Sequence, residues 1–454
     1  MPTLFTISPV FDGLTRIDAD GVVHPWLATS WEQTDPTTWL ITLRDDVIFH
    51  NGRPFTADAV VQVVTFLADR FGSGEAVATE MAFLKSARAL DDYTVKIQTD
   101  YAVPVLHRFL PVLHMVEPEA WNEVSRDEFA LNPIGTGPFM VTDFGATKVS
   151  FDAHREAWRP PQVDGLEIYA VPESTSRLQA LVSRSVDVAL GLGPDDRELV
   201  EAAGGSFLGW RSEAVRTISF VLTQGPSPLD DKRVRHALNL AVDRQTIIDS
   251  LLGGVTIPAS QPTTPAAEGY DPTLKPIPYD PDQARQLLNA AGFSSGFKMT
   301  VEAVVDATGV GRAMYQQVAS DLQRVGVTMT VVPTTFAHLF DHFERGRWHG
   351  NGFGMVYSTE PPVDTIRPLR NNSCQRPVPW YCDIELSNLI EQALVEQDKE
   401  KRIALKQHLV RRYREEAPAI FLWPEPRFAG LAPGVTGFSE VHGFISYDSL
   451  SIDQ

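Results

Sequence analysis

The chain has 454 residues, 39 of them Lys or Arg and 58 Asp or Glu, for a formal net charge of −19. At roughly 100–200 residues per domain this length suits two or three domains, and 43% hydrophobic with 21% charged residues is a globular rather than a disordered composition. The acidic balance argues against nucleic acid as a main partner, because phosphate binding needs a basic face, and no polybasic dock or run of 18 apolar residues meets a membrane.

The opening MPTLFTISPVFDGL has no basic patch followed by an apolar core, so no secretion signal is expected within this chain. Trp39–Arg44 alternates apolar and polar residues, as a half-buried strand does. Asp58–Arg70 predicts a helix with Val60, Val61, Val64, Phe66 and Leu67 on its apolar face, and Tyr93–Thr99 a further strand. A Gly- and Pro-rich loop at Asn132–Pro138 precedes a strand at Lys148–Asp152 and a helix at Ser174–Ser183. Beyond a second break at Thr223–Asp231, Asp231 predicts the cap of one helix running through Asp249. Asp280, Pro281 and Gly292 fit the N-cap, first-turn and C′ positions of another. Strand Met299–Val305, helix Arg312–Val325 and strand Val327–Val332 form a β-α-β unit, so the fold class is α/β. A strand beginning near Phe353, one long helix from Ile384 to about Tyr413 and a last strand at Ile420–Trp423 complete the chain.

Catalytic motifs are missing: there is no nucleophile elbow, phosphate loop or dinucleotide turn. His338 and His342 stand four apart on a helix, with His349 after them, a spacing that can put two imidazoles on one metal. No Glu follows His338, however, and a solvated helix face accounts for the pair, so neither a metal site nor a cofactor is assigned. Seven residues separate Cys374 from Cys382, too many for C-x-x-C chemistry. Their Pro-rich polar loop favours a local disulfide over two separate buried thiols, worth ~2.5 kcal/mol and implying an oxidising compartment. The segment Met355–Arg370 leaves a strand for a polar and aromatic loop, which is where open α/β sheets place ligands.

Several phrases together resemble one family. They are Phe11–Glu32 (FDGLTRIDADGVVHPWLATSWE), Trp39–Phe55, Gly135–Phe139 (GTGPF), Asp231–Arg244 and Tyr279–Gly292. The chain is similar to the large extracytoplasmic solute-binding proteins of ABC importers, the group that carries peptides, opines and nickel chelates. The resemblance implies a two-lobe clamp with an additional subdomain in lobe one. Lobe one would take residues 1–225, with its subdomain at about 15–135, lobe two residues 226–424, and residues 425–454 would return to lobe one. Crossings are expected near Thr223–Pro228 and Pro424–Gly430. Members carry one further strand ahead of the Phe11 region that this chain lacks, which implies an edge strand lost from lobe one.

The implied function is capture of a small polar solute (an oligopeptide, an opine or similar) between the lobes and delivery to permease subunits in the membrane. The protein would be a monomer in the periplasm, or membrane-anchored outside a single-membrane cell. A sensor or chaperone on the same scaffold is the alternative, and a zinc enzyme using His338 and His342 a distant third. Peptide-binding members grip the ligand's ammonium with an Asp shortly after a Trp, and here Ser358 occupies that place. A hydroxyl cannot neutralise a buried ammonium, so Glu360 or Asp364 would have to substitute. Nickel-chelate members use a His in the next loop, and Asn371–Cys382 has none. The paired cysteines resemble those of dipeptide-type members, and Arg367 and Arg370 are candidates for an anionic ligand group. The expected ligand residues are Thr223 and Gln224 on the lobe-one side and Asp306, Tyr357, Ser358, Glu360 and Asp364 on lobe two. Tyr357 would stack on the ligand and Ser358 hydrogen-bond to it.

Overall fold

The computed structural model describes residues 7–69, 76–304 and 310–453, so Asp306 lies outside the described residues. One six-stranded sheet runs through the molecule in the order Val188–Leu190, Ala419–Leu431, Ser206–Phe220, Gly352–Ser358, Phe297–Val304, Val327–Thr334. Its two longest strands, Ser206–Phe220 and Ala419–Leu431, are antiparallel partners. Their register slips midway. Arg211 faces Pro426 and Val215 faces Pro424, so four steps on one strand oppose two on the other. Such a bulge bends and twists the strand that carries the extra residues.

Each side of the slip is built into a different core. Phe207, Phe428 and Leu431 pack with Phe139, Phe151, Leu178 and Tyr447. Ile218, Phe220, Ile420 and Leu422 pack instead with Val234, Leu238 and Val301. The result is a mixed α/β molecule of two lobes, joined through two continuous strands. The first of these passes from core to core at Arg211–Val215, ahead of the Thr223–Pro228 stretch where the sequence placed the crossing. Arg216 clamps the pair just beyond the slip, donating to both carboxylate oxygens of Glu425 at 2.7 and 2.6 Å.

An outer four-stranded sheet, ordered Ala28–Asp35, Thr38–Leu43, Thr94–Thr99, Leu84–Asp91, packs under the helix Ala57–Asp69. Alternation turns Trp39, Ile41 and Leu43 inward to meet Val60, Val64 and Leu67 of that helix. The expected β-α-β unit is present: Phe297–Val304 and Val327–Thr334 pair in parallel around the helix Val310–Gln323. Asp280 caps its helix by accepting from the Gln283 N–H, and Gly292 takes φ +89° beyond the end.

Two expected helices are each divided. The one begun at Asp231 is Lys232–Leu240 followed by Arg244–Leu251, because Asp243 turns out of the first and caps the second through the Thr246 N–H at 3.1 Å. Likewise Ile384–Val395 ends and Lys399–Glu416 restarts where Asp398 accepts from the Lys401 N–H. The last strand is far longer than Ile420–Trp423, since it must traverse both lobes.

Candidate functional site

The lobes meet across the segment that leaves Ser358. Arg108, buried in the outer subdomain, reaches into lobe two and donates to the carbonyls of Pro362 at 2.8 Å and Val363 at 2.9 Å. Ile17 packs on Ala267 and Val363, and Arg367 pairs with Glu80. Gly21, at φ +81°, lies against the carbonyl of Ala266, where any Cβ would collide. Beside these contacts is a cavity lined by Asp12, Arg16, Trp26, Pro361, Phe444 and Asp448 among others. Its free volume is about 50 Å³, room for a few water molecules.

On the lobe-one wall Asp12 is the organising group. Its carboxylate accepts from the indoles of Trp26 (2.9 Å) and Trp158 (3.2 Å), the Thr136 hydroxyl (2.9 Å) and Arg159 Nε and Nη2 (3.0 and 2.7 Å). Burial pushes its pKa up, but the Arg159 charge and these donors outweigh that and hold it below the ordinary value. Arg159 is thereby fixed, and its remaining nitrogen reaches Asp448 at 2.8 Å. Arg16 lies over the Trp26 ring at 4.8 Å and donates to the Ser446 hydroxyl, with no carboxylate in ion-pair range among the described residues. Burial lowers its pKa, partly offset by Asp448. A guanidinium with donors to spare, stacked and part-buried, is suited to a carboxylate guest.

Two carboxylates lie where the strands cross between the lobes. Glu360 is 2% exposed, one of its oxygens has no hydrogen-bond partner among the described residues, and the other stands 3.5 Å from Arg427. Glu213 sits in the strand bulge, and the Thr264 hydroxyl donates to it. Burial, and then the Glu360 charge, push Glu213 up to about 7.

The expected ligand residues do not all gather here. Ser358 pairs with Ala214 at the crossing, where its hydroxyl accepts from the Glu360 N–H at 3.3 Å. Tyr357 points to the other face, edge-on to Phe421 and packed with Val215 and Ala419 inside the lobe core. Asp364 is taken up in a buried ion cluster with Lys406 and Glu268, and it caps the next turn through the Ile366 N–H. Thr223 and Gln224 lie beyond Phe220, which faces Gly352 roughly 20 Å of strand from Ser358. There they donate to the carbonyls of Pro379 and Gly346, bracing lobe-two loops. Arg367 is paired across the cleft mouth with Glu80. The sequence reading missed Asp12, Arg16, Arg159 and Glu213. Asp12 and Arg16 both lie inside the quoted Phe11–Glu32 phrase, while Arg159 and Glu213 carried no signal.

Cys374 and Cys382 are joined in a disulfide with their Cα atoms 4.4 Å apart. The closed loop presents the Trp380 carbonyl to the Leu222 N–H.

Comparison with known proteins agrees with this architecture. The family model of bacterial extracellular solute-binding proteins, family 5 (middle), matches residues 22–373. The nickel-binding periplasmic protein of Escherichia coli (strain K12) is 25% identical over 452 residues, covering 91% of this chain and 83% of its own. NikA from Brucella suis in complex with Fe(III)-EDTA superposes with a TM-score of 0.85 at 23% identity, over 99% of this chain and 95% of that one. The ABC transporter-associated periplasmic binding protein DppA from Helicobacter pylori, in complex with the peptide STSA, gives 0.80 at 20% identity over 98% and 93%.

Proposed function

The chain belongs to the bacterial extracellular solute-binding proteins of family 5, and from that membership we propose that it is the substrate-binding component of an ABC importer. Members of this family are binding proteins, not enzymes. In this reading the chain captures a small polar solute between its lobes outside the cytoplasm and hands it to membrane permease subunits, working as a monomer. The Cys374–Cys382 disulfide supports an oxidising compartment, and no helix among the described residues is long and apolar enough to cross a membrane.

The observation that carries the reading is the cleft itself. Two strands hinge the lobes at a register slip, and Arg108 closes them by gripping the backbone at Pro362 and Val363. Contacts of that kind exist only in the closed form, so a ligand touching both walls shifts the population toward it.

The ligand class follows from the two walls: a zwitterion, with its carboxylate on Arg16 and its ammonium at Glu360 and Glu213. A cation there would offset both the burial and the Glu360 repulsion that raise Glu213, and Ser358 would shape the turn instead of carrying charge. Calorimetry on a panel of dipeptides, each with its N-acetyl and C-amide derivatives, checks this. A binder from the panel should lose about 30-fold or more with either cap, the usual cost of leaving one buried charge unpaired. Equal binding of the N-acetyl form would refute the two carboxylates as the ammonium site. Mass spectrometry of the protein isolated natively from its host identifies the physiological solute.

A further inference from the structure

On lobe two, away from the cleft, three ligand-type side chains converge that solute capture does not use. Glu302 belongs to the strand Phe297–Val304, in register with Phe353 and so roughly 17 Å of strand from Ser358. His342 lies in the last turn of the helix Phe336–Arg345, and His349 in the turn that leads to Gly352–Ser358. The Glu302 Oε1 is 3.7 Å from His342 Nε2 and 3.6 Å from His349 Nδ1, and a ligand atom of each residue lies within 4.8 Å of the others.

These separations are too long for hydrogen bonds, which fall at ~2.7–3.2 Å. Yet the Glu302 residue is only 4% exposed, its side chain makes no hydrogen bond among the described residues, and its Oε2 and the His342 Nδ1 are both buried without a partner there. A buried carboxylate with nothing donating to it is costly, and its nearest neighbours are two imidazole nitrogens held just out of reach. Around a tetrahedral ion with bonds of ~2.0–2.1 Å, adjacent ligand atoms stand about 3.4 Å apart, a few tenths of an ångström inside the two Glu302–His distances, and the two imidazoles are within 4.8 Å of each other.

We propose that Glu302, His342 and His349 form a site for a divalent transition metal of the zinc type, with water in the fourth position. Two nitrogens and one oxygen suit such an ion better than Mg²⁺ or Ca²⁺, which take oxygen sets. His342 is held by stacking on Trp348 at 5.6 Å and 24°. The His349 side chain is 73% exposed and provides the way in. His338, the partner that helical spacing suggested, faces solvent one turn earlier and takes no part. The bound ion would staple the helix end and the following turn to the strand beneath, so its readout is the stability of lobe two.

The test uses the full chain after chelator treatment, titrated with Zn²⁺ alone. Wild type should bind one equivalent, raise its melting temperature with Zn²⁺ but not Mg²⁺, and give a tetrahedral visible band with Co²⁺. His349→Ala, at an exposed position that leaves the fold intact, should weaken Zn²⁺ binding by about 100-fold or more, since even partners of metal ligands are worth 10–100-fold. Glu302→Gln should do the same, with circular dichroism confirming its fold, while His338→Ala should bind as wild type. Failure of wild type to bind Zn²⁺, or full-strength binding by His349→Ala, would overturn the proposal.

Discussion

Lowering the pH from 7 to 5 should destabilise lobe one through its buried imidazoles. His50, His107 and His114 each have a pKa lowered to about 4, chiefly by burial. His114 sits between the Phe11 and Phe444 rings at 6.3 and 6.4 Å, and His107 lies flat on Trp31 at 5.8 Å. In the unfolded chain these groups titrate near 6.5. Below that value the unfolded state binds more protons, so the stability is fully present above pH 6.5 and is lost as the pH falls toward 4. At pH 5 each histidine costs about 2 kcal/mol, or roughly 6 for the three. His442, also lowered by burial, acts in the same direction. Glu213 opposes them. With its pKa raised to about 7, it takes up a proton in the folded state first and returns about 2 kcal/mol over the same window. Carboxylates with lowered pKa values contribute little here, because they protonate below pH 5 in either state. The net loss of about 4 kcal/mol is a large share of a typical folding stability. Urea unfolding followed by tryptophan fluorescence at pH 7 and pH 5 measures it. His114→Leu should remove about a third of the histidine contribution. Equal stability at the two pH values, or an unchanged pH slope in that variant, would refute the burial argument.

Arg108→Ala removes both backbone bonds across the cleft, and by ~1–3 kcal/mol should shift the population toward open lobes. Small-angle scattering should then give a larger radius of gyration with the melting transition little changed; an unaltered radius would show that the latch is not what holds the lobes together. Asp12→Asn weakens the donors around that carboxylate while Asp448 still pairs Arg159, and should cost ~1–3 kcal/mol in denaturant unfolding, whereas a loss below ~0.5 kcal/mol would mean the pair is replaceable. Cys374→Ser together with Cys382→Ser should lower stability by ~2.5 kcal/mol under oxidising conditions. The same loss should follow from reducing the wild type, and reduction should have no effect on the double variant.

Much of the fold was legible because its determinants are local. The alternation in Trp39–Arg44, the Asp280, Pro281 and Gly292 punctuation and the strand–helix–strand around Val310–Gln323 each need only a short window. The divided helices did not show, because an Asp within a helical period reads as a solvated position until its side chain is seen to turn back on the chain. Asp243 and Asp398 both do that. The strand Ala419–Leu431 was hidden for a different reason. Pro424 and Pro426 normally demote a run to an edge, yet here they face the bulged stretch Arg211–Val215, where the ladder is already interrupted and missing donors cost little.

That same bulge explains why the charge in the cleft could not be placed from the sequence. Reading along Met355–Asp364 suggests that the acidic anchor was simply lost at Ser358, with nearby carboxylates as the only replacements. Of those, Asp364 is committed to Lys406, and Glu360 alone remains. The second carboxylate is Glu213, far upstream in the sequence, in the bulged stretch where residues 212–214 oppose Glu425 alone. In a regular ladder Glu213 would be one more alternating strand position with a solvent or core assignment. The slip therefore also places a carboxylate in the bulge, where burial first and the Glu360 charge second raise its pKa.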